Sequence, residues 1–477
     1  MINFKQIAIL MSLSAVAFPT SAQDITLVSK SGGLTVNGSL LAFDGQTYQI
    51  ETDLGRITIS DNDLTCQGPG CPLAKDRLDV FSLISTDRIS RETLVELLLS
   101  YAKESKKLAN PKGPFLKPNT IELSHRTEGL ESIIAFKSDV INLRFTANGS
   151  GTPVGFDAVQ IISSAPELGG KIGVDTLRQI WQGDITNWNQ LGGADQPIRF
   201  ILPIYADDLY NSFTNFDPNM SAEKITPSVE YFLSPQAIIE TVSQTTDTIG
   251  LIYESQPSDL TVALDMGCEI TSTPSDFAIQ SMEYPLSFQL TLNSNNTFAP
   301  RTAKNLQTFA QTPIAQGVFA AAGLIPLVGN QIDSSYLGKR FGDAISAADS
   351  DVRLSALQEF KTFTNTASRL ATTLYFAPNG RDLDEKSTKV FDALSAHLSG
   401  QEYQNKTILA VGFSDSQGGA NANQSISLTR ARAVQSLFDD RDINSDAIGF
   451  GEVAPIGCND TNYGRSKNRR VEIWIRD

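Results

Sequence analysis

TILAVGFSD (Thr407–Asp415), NQSISLTRARAV (Asn423–Val434) and NYGRSKNRRVEIWI (Asn462–Ile475) follow one another through the C-terminal part of the chain. The first is an apolar run that stops at an acid, Asp415. The second is amphipathic with helical spacing and carries Arg430. The third places a cationic cluster, Arg465, Lys467, Arg469 and Arg470, ahead of an alternating strand. An acid at a strand end and a guanidinium on the following helix can clamp a zwitterion, ammonium on carboxylate and carboxylate on guanidinium. The same side chains can equally be surface ion pairs, worth ~0–1 kcal/mol each. The residue pattern alone leaves both readings open.

TLYFAPNGRDLD (Thr373–Asp384) reads as a strand, a Pro-Asn-Gly turn and a helix start. EKSTKVFDALSAHL (Glu385–Leu398) is a helix with Val390, Leu394 and Leu398 inward, and SDAIGFGE (Ser445–Glu452) is a further strand. The predicted order is βαβαββ, a sheet with helices on one face. YFAPNGRDLD, GFSD, NQSISLTRA and GEVAPIGCNDTNYGRSKNRRVEI resemble the OmpA-like peptidoglycan-binding domain in order and spacing. The resemblance implies that Asp415 and Arg430 grip diaminopimelate of the wall's peptide stem. It implies that Asn379, Asn423 and Arg469 line the same pocket, and that Arg465 and Asn468 tie the last turn to the sheet. Where the family reads Gly-His-Thr-Asp, this chain has Gly-Phe-Ser-Asp: the acid is kept, the imidazole lost, the hydroxyl retained.

Upstream, strands and helices alternate. DVFSLIS (Asp79–Ser85) reads as a strand, and the helix after it aligns Leu94, Leu97, Leu98 and Tyr101. Ser85-Thr86-Asp87 at that junction offers hydroxyls and amides to an anion at a helix N-terminus, or merely caps the helix. DAVQIISS (Asp157–Ser164) and TIGLIYE (Thr248–Glu254) read as buried strands; Ser234–Ser243 and Thr302–Ala322 read as helical. LRQIWQGDITNWNQLGG (Leu177–Gly193), TVSQTTDTIGLIY (Thr241–Tyr253) and EYPLSFQLTL (Glu283–Leu292) resemble the periplasmic phosphate-binding proteins of ABC uptake systems. The resemblance runs from Leu78 to Ile332 and implies a two-lobed periplasmic-binding α/β domain that closes on a ligand. Where that family has a Ser-Gly-Thr loop, this chain has LPIYADDLYNSF (Leu202–Phe213), with Asp207, Asp208 and Tyr210. Two carboxylates repel a phosphate dianion, although one acceptor suits a protonated phosphate. Ser85, Thr86, Asp207 and Tyr210 are the candidate small-ligand residues. NGSGTP (Asn148–Pro153) is a second glycine- and hydroxyl-rich loop.

The remaining chain sets the context. Residues 1–22 read as a secretory signal, with Lys5, the apolar run Ile7–Phe18 and the small residues Thr20-Ser21-Ala22. Residues 23–75 hold short alternating strands separated by glycine turns, expected to form a small barrel or sandwich. Cys66 and Cys71 flank a turn, QGPG, and exported chains keep disulfides, so a bridge is expected there rather than a metal site. Cys268 and Cys458 can be free and buried or can bridge two domains. The expected organisation is signal 1–22, β domain 23–75, periplasmic-binding-like domain 76–335, helical connector 336–372 and OmpA-like domain 373–477. The connector helix, with Leu354, Leu357, Phe360 and Phe363 on one face, either links two domains or packs as the last element of the first.

The chain has 477 residues and a formal net charge of −15, which disfavours nucleic acid and anionic lipid as partners. After the signal no run reaches the roughly 18 apolar residues of a membrane helix. No nucleophile triad and no zinc-ligand set stands in the sequence, and Asp207 and Asp208 are adjacent rather than set across a cleft. No cofactor is implied. The expected protein is multidomain, α/β and α+β, and non-catalytic. It anchors to peptidoglycan in the periplasm, at the wall or outer membrane of a Gram-negative cell, and carries a solute-binding domain. The alternatives are a receptor or sensor for phosphate or another small anion linked to ABC uptake, or, less favoured, a wall hydrolase. Oligomeric state is not legible.

Overall fold

The computed structural model describes residues 23–476 apart from 31–32, 34, 44–46, 54, 62–63, 73–80, 85–88, 109–120, 125–140, 205, 257, 295–300, 330–333, 347–351 and 377–381. The signal stretch, Ser85, Thr86 and Asn379 therefore lie outside the described residues. The chain forms two compact units, one built mainly from residues up to Phe81 and one from most of the remaining chain.

The N-terminal unit is one antiparallel sheet of β1 (Gln23–Ser29), β2 (Thr35–Phe43), β3 (Thr47–Thr52), β4 (Gly55–Ser60) and β5 (Leu64–Gln67), in the order β4-β3-β2-β1-β5. Period-two alternation brings Ile25, Leu27, Leu40, Phe43, Tyr48 and Ile50 together as its core. The expected barrel or sandwich is instead a single sheet. β5, only four residues long, pairs with β1 and not with β4. Cys66 and Cys71 form the disulfide expected across the QGPG turn.

In the second unit the central strands are β6 (Phe81–Ile84), β7 (Ile121–Ser124), β8 (Ile141–Ala147), β9 (Thr152–Ser163), β10 (Lys171–Gly173), β11 (Arg199–Pro203), β12 (Glu230–Phe232), β13 (Thr248–Tyr253), β14 (Ala263–Asp265), β15 (Thr271–Ser272) and β16 (Ser287–Ser294). The long, almost wholly buried β9 organises them. Its first part pairs with β16, which continues to β8; its second part pairs with β13, which continues to β11 and β12. One strand thus threads both lobes of the domain.

The helices α1 (Arg91–Leu108), α2 (Val174–Gln182), α3 (Asp207–Phe216), α4 (Pro235–Gln244), α5 (Asp276–Gln280), α6 (Arg301–Phe309) and α7 (Pro313–Ala321) pack around this framework. The motif after α2 has a purely structural reading. Gly183 ends the helix at φ +80°, Asn187 caps the next turn, and Trp188 plugs the core with its Nε1 donating to Asp247 O at 3.1 Å. The helical stretch expected over Thr302–Ala322 is two helices. Pro313 cannot donate to a continuing helix, and Thr312 caps the second one instead.

The C-terminal part comprises α8 (Ser334–Ser346), α9 (Leu354–Thr364), β17 (Ser368–Tyr375), α10 (Glu385–Leu398), β18 (Thr407–Gly412), α11 (Ala420–Asp439), β19 (Ser445–Gly449), α12 (Asn462–Asn468) and β20 (Arg470–Arg476), with sheet order β17-β20-β18-β19. Leu374, Ile408, Ala410, Val471 and Ile473 face α10 and α11. Leu409, Val411 and Trp474 face the other way, onto Leu357, Phe360 and Phe363 of α9. Helices therefore cover both sheet faces, not one as expected. The connector helix supplies the second layer because its apolar stripe matches the alternate side chains of β18 and β20.

Candidate functional site

Asp415 lies three residues past β18, and α11 carries Asn423 and Arg430 across the end of that strand. Two glycines let the helix ride on strand backbone. A Cβ at Gly412 would sit 2.0 Å from Ser427 O, and one at Gly449 would sit 2.6 Å from Leu428 N. This close approach lets Arg430 reach the carbonyl of Phe413, to which its Nη1 donates at 3.3 Å.

Asp415 and Arg430 are both buried, 7% exposed each. The direct partner of Asp415 is Arg469, whose Nη1 donates to Oδ2 at 2.7 Å; Gln417 N donates to Oδ1 at 3.3 Å. Arg430 lies over the Phe376 ring, 5.8 Å from its centroid, and its Nε is buried without a hydrogen-bond partner among the described residues. Burial pushes its guanidinium pKa down; the charge of Asp415 opposes that and the charge of Arg469 adds to it. Asn423 is buried and donates to Glu452 Oε2 at 3.0 Å. The arrangement is an acid and two guanidinium groups at one strand end, one of them desolvated and incompletely bonded. It can hold a ligand that carries both charges; among the described residues it contains no nucleophile poised beside a base.

The cationic cluster of the sequence is dispersed. Arg465 donates to Asn459 O at 2.6 Å, and the amide of Asn468 bonds Ile456 N, Gly457 N and Gly457 O, so these two tie the last turn together. Arg470 is fully buried against Glu472 and stacks over Phe413 at 4.1 Å. Phe413 itself packs with Phe360 and Phe450 in the core. A side chain at 413 points into this core, so the missing histidine removes nothing from the Asp415–Arg430 group.

Sequence reasoning missed the junction between central and C-terminal domains. Cys268 and Cys458, undecided from sequence, form a disulfide across it. Arg369, fully buried, bonds Glu283 of the central domain and lies 3.2 Å from Glu472. Tyr375 Oη donates to Ser281 O and Met282 O at 3.3 and 3.2 Å, and Lys467 Nζ donates to Met282 O at 3.0 Å. The one available signal was the pair of unassigned cysteines.

In the central domain, Asp207 is exposed at the start of α3, and Tyr210 Oη lies 3.1 Å from Tyr231 Oη. Burial pushes the Tyr210 phenol pKa up. Asp208 is buried and accepts from Ala147 N at 2.9 Å, a structural role. Among the described residues no helix is long and apolar enough to cross a membrane.

Residues 375–469 match the OmpA family and residues 135–316 match the PBP superfamily domain. The chain is similar to the probable lipoprotein YiaD of Escherichia coli, 33% identical over 106 residues, which cover 20% of this chain and 48% of that protein. It is similar to the peptidoglycan-binding protein ArfA of Mycobacterium tuberculosis, 40% identical over 67 residues, 13% of this chain and 21% of that one. The chain thus spans about half or less of the length of these relatives. An ABC-type phosphate transport receptor from Vibrio cholerae aligns with 51% of this chain and 99% of its own, at 17% identity and a TM-score of 0.38.

Proposed function

We propose that this chain, which carries an OmpA-family domain near its C-terminus and a PBP-superfamily domain before it, is a non-catalytic envelope protein that holds peptidoglycan. Asp415, Arg430, Asn423, Arg469 and, outside the described residues, Asn379 form the grip on diaminopimelate. The ligand's ammonium goes to Asp415, and its carboxylate goes to Arg430. The observation that carries this reading is the buried Nε of Arg430, a charged donor left without a partner among the described residues. A buried cation in that condition is costly unless something accepts from it. Asp415 shares its carboxylate between Arg469 and the ligand, since its two oxygens offer about four acceptor sites. The similarity to ArfA, a peptidoglycan-binding protein, supports the same ligand. The location proposed is the periplasm, at the wall.

The central domain is proposed to present a small-anion site between its lobes, with Ser85, Thr86, Asp207 and Tyr210 as its candidates. The acidic character of Asp207 disfavours a dianion there. The test of the main reading is sedimentation of the full chain with purified diaminopimelate-type sacculi. The chain should pellet, and Asp415→Ala or Arg430→Ala should leave it in the supernatant with unchanged circular dichroism. Pelleting retained in both variants overturns the site.

A further inference from the structure

A cavity of about 200 Å³ opens where the central and C-terminal domains meet. The central domain lines it with Gln280 and Gln289, and the C-terminal domain with Tyr375, Asp384, Lys386 and Lys467. Phe156 and Val390 give it apolar walls, and the exposed Ser466 stands at its rim. At about 30 Å³ per water, this space holds the equivalent of roughly six or seven waters, the bulk of a small organic acid. It shares Phe376, over which Arg430 lies, with the Asp415–Arg430 group, but Asp415, Asn423, Arg430 and Arg469 do not line it.

Its chemistry is specific. Lys386 Nζ donates to Asn148 Oδ1 at 3.1 Å, and Lys467 Nζ to Met282 O at 3.0 Å. An ammonium has three donors, so each can give more. The carboxylate in the lining, Asp384, already accepts from Ser387 N at 2.7 Å. Two cations against one anion leave the lining with a single positive charge. Burial pushes both amines down, and Lys386 adds its charge to the effect on Lys467, which is held at about 8. An anion between them relieves that penalty. Gln280 points to a second group. It is 3% exposed, its amide nitrogen donates to Pro326 O at 2.7 Å, and its Oε1 has no hydrogen-bond partner among the described residues. That oxygen calls for a donor.

We propose that this interdomain cavity binds a small hydroxycarboxylate, its carboxylate between Lys386 and Lys467 and its hydroxyl hydrogen on Gln280 Oε1. The single excess charge matches a monoanion, and the apolar walls take the short carbon skeleton. The ligand touches both domains, so its binding stabilises their docking.

Calorimetric titration of the full chain with L-lactate and with D-lactate, at constant chloride, tests this. One saturable site per chain is expected for at least one of them, with a rise in Tm. Lys386→Gln/Lys467→Gln should weaken binding at least tenfold. Should that double variant fail to fold, Gln280→Glu gives an independent reading. It places a carboxylate inside the cavity, and should abolish lactate binding. No saturable binding of either probe at millimolar concentration overturns the proposal, as does undiminished binding in Gln280→Glu. Inorganic phosphate binding more tightly than lactate, and lost in the same variants, overturns the ligand class.

Discussion

The disulfide between Cys268 and Cys458 should be the strongest single covalent contribution to the second unit. The two cysteines are 190 residues apart, whereas Cys66 and Cys71 are separated by 5. In the chain-entropy account the cost of closing a loop in the unfolded state grows with the logarithm of its length. The long loop gives about 5 kcal/mol at 25 °C and the short one about 2 kcal/mol. The perturbation is Cys268→Ser/Cys458→Ala in one variant and Cys66→Ser/Cys71→Ser in the other. Guanidinium unfolding of the full chain without reductant reads the loss in the transition of each unit, and thiol titration of the unfolded wild type verifies that no free thiol is present. A loss of several kcal/mol is expected in the second unit, more than twice that from the short loop. Equal losses, or a loss below about 1 kcal/mol for the long loop, would refute the pairing or the entropic reasoning.

Arg369→Met removes the buried guanidinium that contacts both Glu283 and Glu472, and should destabilise the second unit by about 3–5 kcal/mol; equilibrium unfolding that finds under 1 kcal/mol contradicts the buried network. Phe413→His restores the residue usual in the family but buries an imidazole against Phe360, Phe450 and Arg470. It should cost about 2–4 kcal/mol while leaving wall binding per folded molecule unchanged, and a gain in sedimentation with sacculi would show that position 413 does reach the site. Lys467 is held at about 8 against an ordinary 10.5. Between those values the unfolded chain binds more protons than the folded one, so this residue makes stability rise with pH from about 8 toward 10. Tm measured at pH 7.5 and 9.5 should show that rise flattened in Lys467→Gln, and an identical slope in the variant rules it out.

Much of the C-terminal fold was legible because its strands alternate cleanly and its helices keep one apolar stripe. The glycine of GFSD even marks where α11 rests on β18. The charges were harder. Glu472 and Arg470 sit at alternate positions of β20, where a polar residue reads as solvent-facing, yet both are fully buried, as is Arg369. Alternation reports which residues share a face, not what covers that face. For the same reason the second layer of the sheet was not foreseen: α9 announced an apolar stripe, but nothing in its own residues named the surface it would meet. At the site, spacing brought Asp415 and Arg430 together, but the contact made by Asp415 is with Arg469, from the end of α12. A long cation's direction is set by what it packs on, and Arg465, Lys467, Arg469 and Arg470 go four different ways.

Arg430, a desolvated donor with a buried Nε left for a carboxylate, is the centre of the proposed grip. Titration of the full chain with meso-diaminopimelate, by calorimetry, tests that most directly. Wild type should bind at one site, and Arg430→Gln and Asp415→Asn should each weaken binding by at least tenfold, about 1.4 kcal/mol or more. Binding that is unchanged in Arg430→Gln, or sacculi with lysine in place of diaminopimelate retained equally well, would contradict it.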